Sequence, residues 1–142
     1  MRELSMKLTL HHVGMLVKDI RASVATYASM GYEIRSEVIH DPVQTAFVQF
    51  LKLPADRAYL ELISPDGPGG KLNNALLKGG GLNHLCFSTE DFEADCKSLR
   101  DAGFFLIAEP VPAVAFGGRK VAWFRSPDKL SVELVEIGEG GL

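Results

Sequence analysis

Apolar and polar residues follow the same order twice along the chain. Each series opens with an apolar run, LTLHHVGMLV or LNHLCFST, which predicts a strand. An aspartate follows each run, Asp19 or Asp91, and apolar residues at helical spacing come next. A glycine and an aromatic residue, in MGY and AGF, end both segments. The pattern therefore predicts a strand and then an N-capped amphipathic helix in each series.

Three further strands are predicted behind each helix, because Val, Ile, Phe and Leu dominate these segments and turn sequences separate them. The strands are predicted at residues 33–39, 45–52 and 58–63, and at 104–109, 119–125 and 130–137. Between the two series, KLNNALLK predicts one short helix in a Gly- and Pro-rich linker. We therefore predict an α+β fold made of two tandem βαβββ modules. Module 1 (7–64), linker 65–81 and module 2 (82–137) lie within a single domain, 7–142.

The two modules are copies of one unit, since they align without a gap. An offset of 72 residues, the separation of His12 and His84, also places Glu61 on Glu133. Each glutamate follows the histidine of its copy by 49 residues. The same offset aligns further residues that shape the unit: Asp19 with Asp91, Gly31 with Gly103, and Asp56 with Asp128.

The repeated histidines and glutamates predict a metal site. If the modules pair into a curved mixed sheet, two imidazoles and two carboxylates converge into an N₂O₂ set that suits a divalent metal. A glutamate between aliphatic residues can equally face water on a half-buried strand, so the local pattern leaves both readings open. The shared offset favours His12, Glu61, His84 and Glu133 as ligands, because surface residues have no reason to match together with the histidines.

We predict structural, surface or loop positions for the other polar residues near these four. Side chains alternate across a strand, so His11 and His12 face opposite sides, and His11 is predicted to be structural or at the surface. Glu136 has the opposite strand parity from Glu133 and is predicted to lie at the surface. His40, in IHDP, is predicted to be a loop residue.

Composition and charge exclude several classes of protein. The chain has 142 residues with 15 basic and 18 acidic side chains, and this balance does not indicate a nucleic-acid binder. No segment has the length of apolar sequence that a signal peptide or a membrane span needs, so we expect a cytoplasmic protein without membrane partners. The two cysteines, Cys86 and Cys96, lack C-x-x-C spacing and predict buried thiols in a reducing compartment.

The motifs HHVGMLVKD, AYLELISP, GLNHLCF and KVAWFRSPDKLSVELVE resemble those of the vicinal oxygen chelate superfamily. This superfamily includes glyoxalase I, methylmalonyl-CoA epimerase, extradiol dioxygenases and bleomycin-resistance proteins, and the resemblance covers residues 7–137. It implies a glyoxalase-like fold and the same four metal ligands. The ion would be nickel, cobalt or zinc, with manganese and iron as further candidates. Family members pair their modules within one chain or across a dimer, so a homodimer is an open alternative.

Within the superfamily, the chain resembles short bacterial glyoxalase I (lactoylglutathione lyase), which uses two histidines and two glutamates. The epimerases resemble it in length and in GLNHLCF, but they carry glutamine at the position of Glu61. They also have a catalytic glutamate in the segment that matches DPVQTAF, where this chain has Val43 or Gln44. The resemblance therefore predicts a metal-dependent lyase that converts the methylglyoxal–glutathione hemithioacetal to S-lactoylglutathione, a methylglyoxal detoxification reaction.

The resemblance also implies a mechanism through an enediolate, with Glu133 as the base and Glu61 as its near-symmetric partner. The substrate is a small thiol adduct or thioester. Two other classes stay open: an epimerase of an acyl-CoA, and a non-enzymatic small-molecule-binding protein of the resistance type. Cationic and aromatic residues are candidates for substrate binding, with solvated strand ends or packed core as the alternative. They are Arg119, Lys120, Arg125, Trp123 and Phe116.

Overall fold

The computed structural model of the protein describes residues 6–138 and 142. Residues 6–138 form nine strands, three α-helices and one 3₁₀ turn at Val114–Phe116. The strands are β1 (Thr9–Leu16), β2 (Glu33–Ile34), β3 (Ile39–Asp41), β4 (Ala46–Lys52), β5 (Tyr59–Pro65), β6 (Gly81–Thr89), β7 (Phe105–Pro112), β8 (Lys120–Arg125) and β9 (Ser131–Glu136). The helices are α1 (Ile20–Ala28), α2 (Leu72–Leu77) and α3 (Phe92–Asp101). None of the helices in this described range is long and apolar enough to span a membrane.

The chain divides into two compact units. The first unit is His12–Asn83, and the second unit consists of the described residues of His84–Leu142 and Met1–His11. Each unit contains the α+β arrangement that the repeat predicts. The exact limits of the two modules and the linker stay a prediction.

In the first unit, β1, β4 and β5 form the centre of a mixed sheet. β1 runs parallel to β5, β4 runs antiparallel to β5, and the short β2 and β3 both pair with β4. Apolar side chains of β4, β5 and α1 build the core on one face of this sheet: Ile20, Leu51, Leu60 and Leu62. Since side chains alternate along a strand, the residues between these positions face the other side of the sheet.

The second unit repeats this topology with the order β6-β9-β8-β7. β6 runs parallel to β9, and β8 runs antiparallel to both β9 and β7. The core again lies between the sheet and a helix, here α3, and contains Phe92, Leu99, Ala122, Phe124, Val132 and Leu134. In both units the helix covers one face of the sheet, and the opposite face carries the repeated histidine and glutamate.

The predicted helix ends are confirmed. The Asp19 carboxylate accepts hydrogen bonds from the Arg21 and Ala22 backbone N–H groups, and Asp91 caps α3 by accepting from the Ala94 N–H. Gly31 and Gly103 follow the two helices with φ values of +103° and +96°, a left-handed conformation that favours glycine.

The prediction of one continuous strand at 33–39 is wrong. The structure has two short strands, β2 and β3, and the segment between them leaves the regular ladder. Here the Ser36 hydroxyl accepts a hydrogen bond from the Phe50 N–H of β4 at 3.0 Å, and the Gln49 side chain donates to the Ser36 carbonyl. A side chain thus satisfies a backbone donor that a continuous strand would have satisfied.

Candidate active site

His12 and Glu61 form a buried pair in the first unit. His12 lies on β1 and Glu61 on β5, and His12 Nε2 is 3.3 Å from Glu61 Oε1. The imidazole is fully buried, and the glutamate residue is 6% exposed. A carboxylate so far from water needs a charged partner, a hydrogen-bond donor or a metal ion. The solvent-facing reading of Glu61 is therefore wrong.

His84 and Glu133 form the equivalent pair in the second unit. His84 lies on β6 and Glu133 on β9, and His84 Nε2 is 3.3 Å from Glu133 Oε1. These residues are 2% and 6% exposed. The two units therefore repeat the distance, the burial and the strand positions of one histidine–glutamate pair.

An aromatic ring lies against the histidine of each pair. In the first unit, Phe50 pairs with Glu61 across β4 and β5, and its ring is edge-on to His12 at 5.4 Å between centroids. In the second unit, Trp123 pairs with Glu133 across β8 and β9, and its ring is edge-on to His84 at 4.7 Å. Sequence reasoning missed Phe50, because the offset of 72 aligns Trp123 with Leu51 instead.

The structure distributes the predicted substrate-binding residues of β8 over both faces of the second unit. By strand alternation Arg125 shares the face of Trp123, and it is exposed. Lys120 lies on the face that carries α3, where its Nζ is 3.5 Å from Glu93 Oε1.

Arg119 and Phe116 contact each other beside β8. The Arg119 guanidinium donates hydrogen bonds to the Phe116 and Glu136 carbonyls, and it lies 5.4 Å from the centre of the Phe116 ring. Phe116 is buried, with 5% exposure. These contacts fix both side chains, and a role for either in substrate binding stays a proposal.

The structure places the remaining polar residues away from the two pairs or in structural contacts. His11 Nε2 lies 2.9 Å from the Leu142 carbonyl oxygen, and its ring is edge-on to Phe116. Glu136 Oε1 accepts a hydrogen bond from the Lys120 N–H. His40 is not a loop residue as predicted: it lies in β3, where Nε2 is 2.9 Å from Asp66 Oδ2 and the ring contacts the Phe47 ring at a tilt of 38°.

The donor atoms of each pair fit a divalent metal. Two ligands bonded to one ion at about 2.1 Å, with angles between about 90° and 110°, stand about 3.0–3.4 Å apart. The observed separation of 3.3 Å between Nε2 and Oε1 lies in this range in both units. It is longer than the usual 2.9–3.0 Å of an N–H···O hydrogen bond. Imidazole nitrogen and carboxylate oxygen are also the donor types that first-row divalent metals prefer.

Comparison with known proteins identifies the protein family. The family model of the glyoxalase/bleomycin resistance protein/dioxygenase superfamily matches residues 11–124. The chain belongs to this superfamily. This confirms the resemblance drawn from the sequence motifs and the glyoxalase-like fold.

Three similar proteins show how much of the chain each similarity covers. An ethylmalonyl-CoA/methylmalonyl-CoA epimerase from Cereibacter sphaeroides is 30% identical over 131 residues, covering 90% of this chain and 95% of the relative. A solved structure of a Streptomyces coelicolor methylmalonyl-CoA epimerase variant in complex with 2-nitronate-propionyl-CoA has a TM-score of 0.81. It is 25% identical and covers 94% of this chain and 100% of that one. A probable lactoylglutathione lyase from Synechocystis is 31% identical over 58 residues, 41% of this chain and 44% of the relative.

These comparisons change the order of the predicted functions. The similarity to the epimerases runs over nearly the whole chain, whereas the similarity to the lyase covers less than half of it. They therefore support the acyl-CoA epimerase alternative better than the glyoxalase I prediction.

Proposed function

We propose that the protein is a divalent-metal-dependent epimerase that inverts the α-carbon of a small acyl-CoA, of the 2-substituted malonyl-CoA class. The observation that carries the proposal is the pair of equivalent, buried histidine–glutamate contacts. Inversion at carbon requires a proton acceptor on one face and a proton donor on the other, and two equivalent glutamates supply one group for each. The full-length similarity to acyl-CoA epimerases supports the choice of substrate class.

His12, Glu61, His84 and Glu133 would hold the metal together. When bound, a divalent ion would polarise the substrate carbonyl and make the neighbouring C–H more acidic. Oε1 of each glutamate lies beside its histidine, so we assign the proton transfers to Oε2. In one direction, Glu133 Oε2 takes the α-proton, and Glu61 returns a proton to the opposite face. The reverse reaction exchanges these roles.

This assignment gives Glu61 a role that explains a difference from the epimerases. They usually carry glutamine at this position, and they have a catalytic glutamate where this chain has Val43 or Gln44. The N–H groups of Val43 and Gln44 bind the Asp41 carboxylate in a turn. Glu61 supplies the second carboxylate that such a chain needs.

The test measures exchange of the α-proton and inversion of the α-carbon configuration separately. Metal-loaded protein in D₂O receives each α-epimer of methylmalonyl-CoA, then of ethylmalonyl-CoA, while NMR records loss of the α-proton signal and a stereospecific assay records inversion. The wild type should do both. Glu61→Gln and Glu133→Gln should each lose inversion by at least about 100-fold. Each variant should keep proton exchange for only one of the two α-epimers, and this epimer should differ between the two variants.

The control is Glu136→Gln, which removes a charge from β9 on the face opposite Glu133 and keeps an oxygen for the Lys120 N–H. It should keep both exchange and inversion. No exchange with either acyl-CoA by the metal-loaded wild type would reject the proposal. Full inversion by Glu61→Gln would reject Glu61 as a base.

Glyoxalase I is the second candidate, because Glu61 gives the two-histidine, two-glutamate set that resembles this enzyme. The same metal-loaded protein is therefore tested with the methylglyoxal–glutathione hemithioacetal. Thioester formation without α-proton exchange on acyl-CoA would favour this candidate over the epimerase.

A further inference from the structure

The Trp123 indole N–H is a buried donor that the described residues leave unsatisfied. Nε1 is inaccessible to solvent, and within residues 6–138 and 142 it has no hydrogen-bond partner. Buried donors in native proteins are nearly always paired, and an unpaired one costs free energy. A buried donor that no atom of the described residues satisfies is a candidate for contact with a bound molecule.

Trp123 lies beside Glu133, the residue of the second unit that we propose for proton transfer. Trp123 is the cross-strand neighbour of Glu133, and its ring contacts the His84 ring with an interplanar angle of 73°. Neighbouring residues on paired strands point to the same face, so the indole and the Glu133 carboxylate share one face of the sheet.

The first unit offers an internal comparison. Phe50 has the same relation to Glu61 and His12 as Trp123 has to Glu133 and His84. Packing against the histidine therefore requires only an aromatic ring, which phenylalanine provides. The N–H group is the chemical difference between the two positions, and packing does not explain it.

We infer that Trp123 donates its indole N–H to the thioester oxygen of the bound acyl-CoA. This inference rests on the proposed function. When the α-C–H bond breaks, the proton goes to Glu133 and its electron pair forms a carbon–carbon double bond, while the C=O π pair moves onto the thioester oxygen. A donor aimed at this oxygen binds the charged form more strongly than the neutral carbonyl and so lowers the barrier. Reprotonation of the α-carbon by Glu61 reverses the electron movement.

The first test observes the hydrogen bond directly. The chain has a single tryptophan, so its ¹⁵N-labelled form gives one indole N–H resonance. Metal-loaded protein is titrated with 2-nitronate-propionyl-CoA, and calorimetry measures binding independently. The inference predicts a downfield shift of the indole proton and slower exchange with solvent upon binding. Calorimetric binding with an unchanged resonance and exchange rate would overturn the inference and leave the proposed function intact. Absence of binding, together with absence of α-proton exchange, would overturn both.

The second test separates the N–H from the ring. Trp123→Phe gives the second unit the aromatic residue of the first, and replacement of the single tryptophan by 3-benzothienylalanine keeps the bicyclic shape while removing the N–H. Both proteins should lose kcat by about 10- to 100-fold with a smaller change in KM, because the bond strengthens as charge develops. Tyr32→Phe, which removes a polar hydrogen from a ring packed on the α1 side, is the control and should keep wild-type kcat.

The benzothienyl protein controls for misfolding of Trp123→Phe, because its side chain fills the same space as the indole. If it keeps the wild-type kcat and only Trp123→Phe loses it, the ring and not the N–H is what matters, and the inference is wrong. If both keep the wild-type kcat, the inference is wrong as well.

Discussion

Trp123 in the second unit holds the position that Phe50 holds in the first unit. Each residue is the cross-strand neighbour of its unit's glutamate, and each ring lies edge-on to its unit's histidine. The two positions are 73 residues apart in sequence, one more than the offset that relates the histidines and the glutamates. The first unit thus has one extra residue between its aromatic residue and its glutamate. At this equivalent position the two units differ by one N–H donor, which Trp123 has and Phe50 lacks.

Removal of either histidine should strongly weaken metal binding. We expect His12→Ala and His84→Ala each to weaken binding of nickel, cobalt or zinc by at least about 100-fold, because each removes a nitrogen ligand from the proposed set. Metal content after dialysis and calorimetric titration measure this effect. His40→Ala is the control, since His40 lies in β3 and contacts Asp66 and Phe47. Unchanged binding in His84→Ala would remove this residue from the ligand set, and a wild type without metal affinity would favour the metal-free binding class.

Metal removal should lower the stability of the protein. A ligand that binds only the folded state stabilises it by about 2.7 kcal/mol when its free concentration is 100 times Kd. Chelator-treated protein should therefore unfold at a lower temperature than protein reloaded with the metal. The double variant His12→Ala/His84→Ala should show the same unfolding temperature with and without the ion. A reloading effect of equal size in this variant would place the stabilising metal elsewhere.

The Cys96 thiol should react slowly with alkylating reagents near neutral pH. Burial, followed by the charges of Glu93 and Asp95, raises its pKa to about 11, against about 8.5 for an unfolded cysteine. Because the thiolate is the nucleophile, the iodoacetamide rate should rise about tenfold per pH unit between pH 8 and pH 10. Mass spectrometry of wild type and Cys96→Ser isolates this residue from Cys86. A plateau near pH 9 would contradict the raised pKa.

The same raised pKa predicts the direction of a stability change. The folded state favours the neutral thiol, so the stabilisation is complete below the unfolded pKa, about 8.5, and is lost as pH rises toward 11. The urea midpoint of the wild type should therefore fall more between pH 8.5 and pH 11 than that of Cys96→Ser. Identical slopes for the two proteins would be the contrary result.

Any side chain at position 80 should lower the free energy of unfolding. Its φ of +65° is left-handed, and an added Cβ would lie 2.7 Å from the Leu16 carbonyl oxygen in the backbone of β1. Gly79 also has a positive φ, +116°, but an added Cβ there meets nothing within 4 Å. Gly79→Ala should cost about 1–2 kcal/mol of unfolding free energy from backbone strain, and Gly80→Ala clearly more. Urea denaturation compares them, and equal losses would show that the carbonyl contact relaxes freely.

The repeated unit, its helix caps and the four candidate ligands could all be predicted from the sequence alone. These features are local or repeat at a fixed spacing: Asp19 and Asp91 cap the helices that directly follow them, and Gly31 and Gly103 terminate them. Periodicity could not decide whether Glu61 and Glu133 face water, since both sit between aliphatic residues. The repeat favoured a shared role, and the observed burial agrees with it.

The residues that share a face with these pairs could be identified only in the folded chain. Side chains alternate with a period of two, so a shift of one residue in strand pairing moves a side chain to the other face of the sheet. Three features depend on pairing with distant strands. They are the pairing of Trp123 with Glu133, the contact of Lys120 with α3, and the break between β2 and β3. Strand register is set by contacts between residues far apart in the chain. Local sequence patterns carry no information about these contacts.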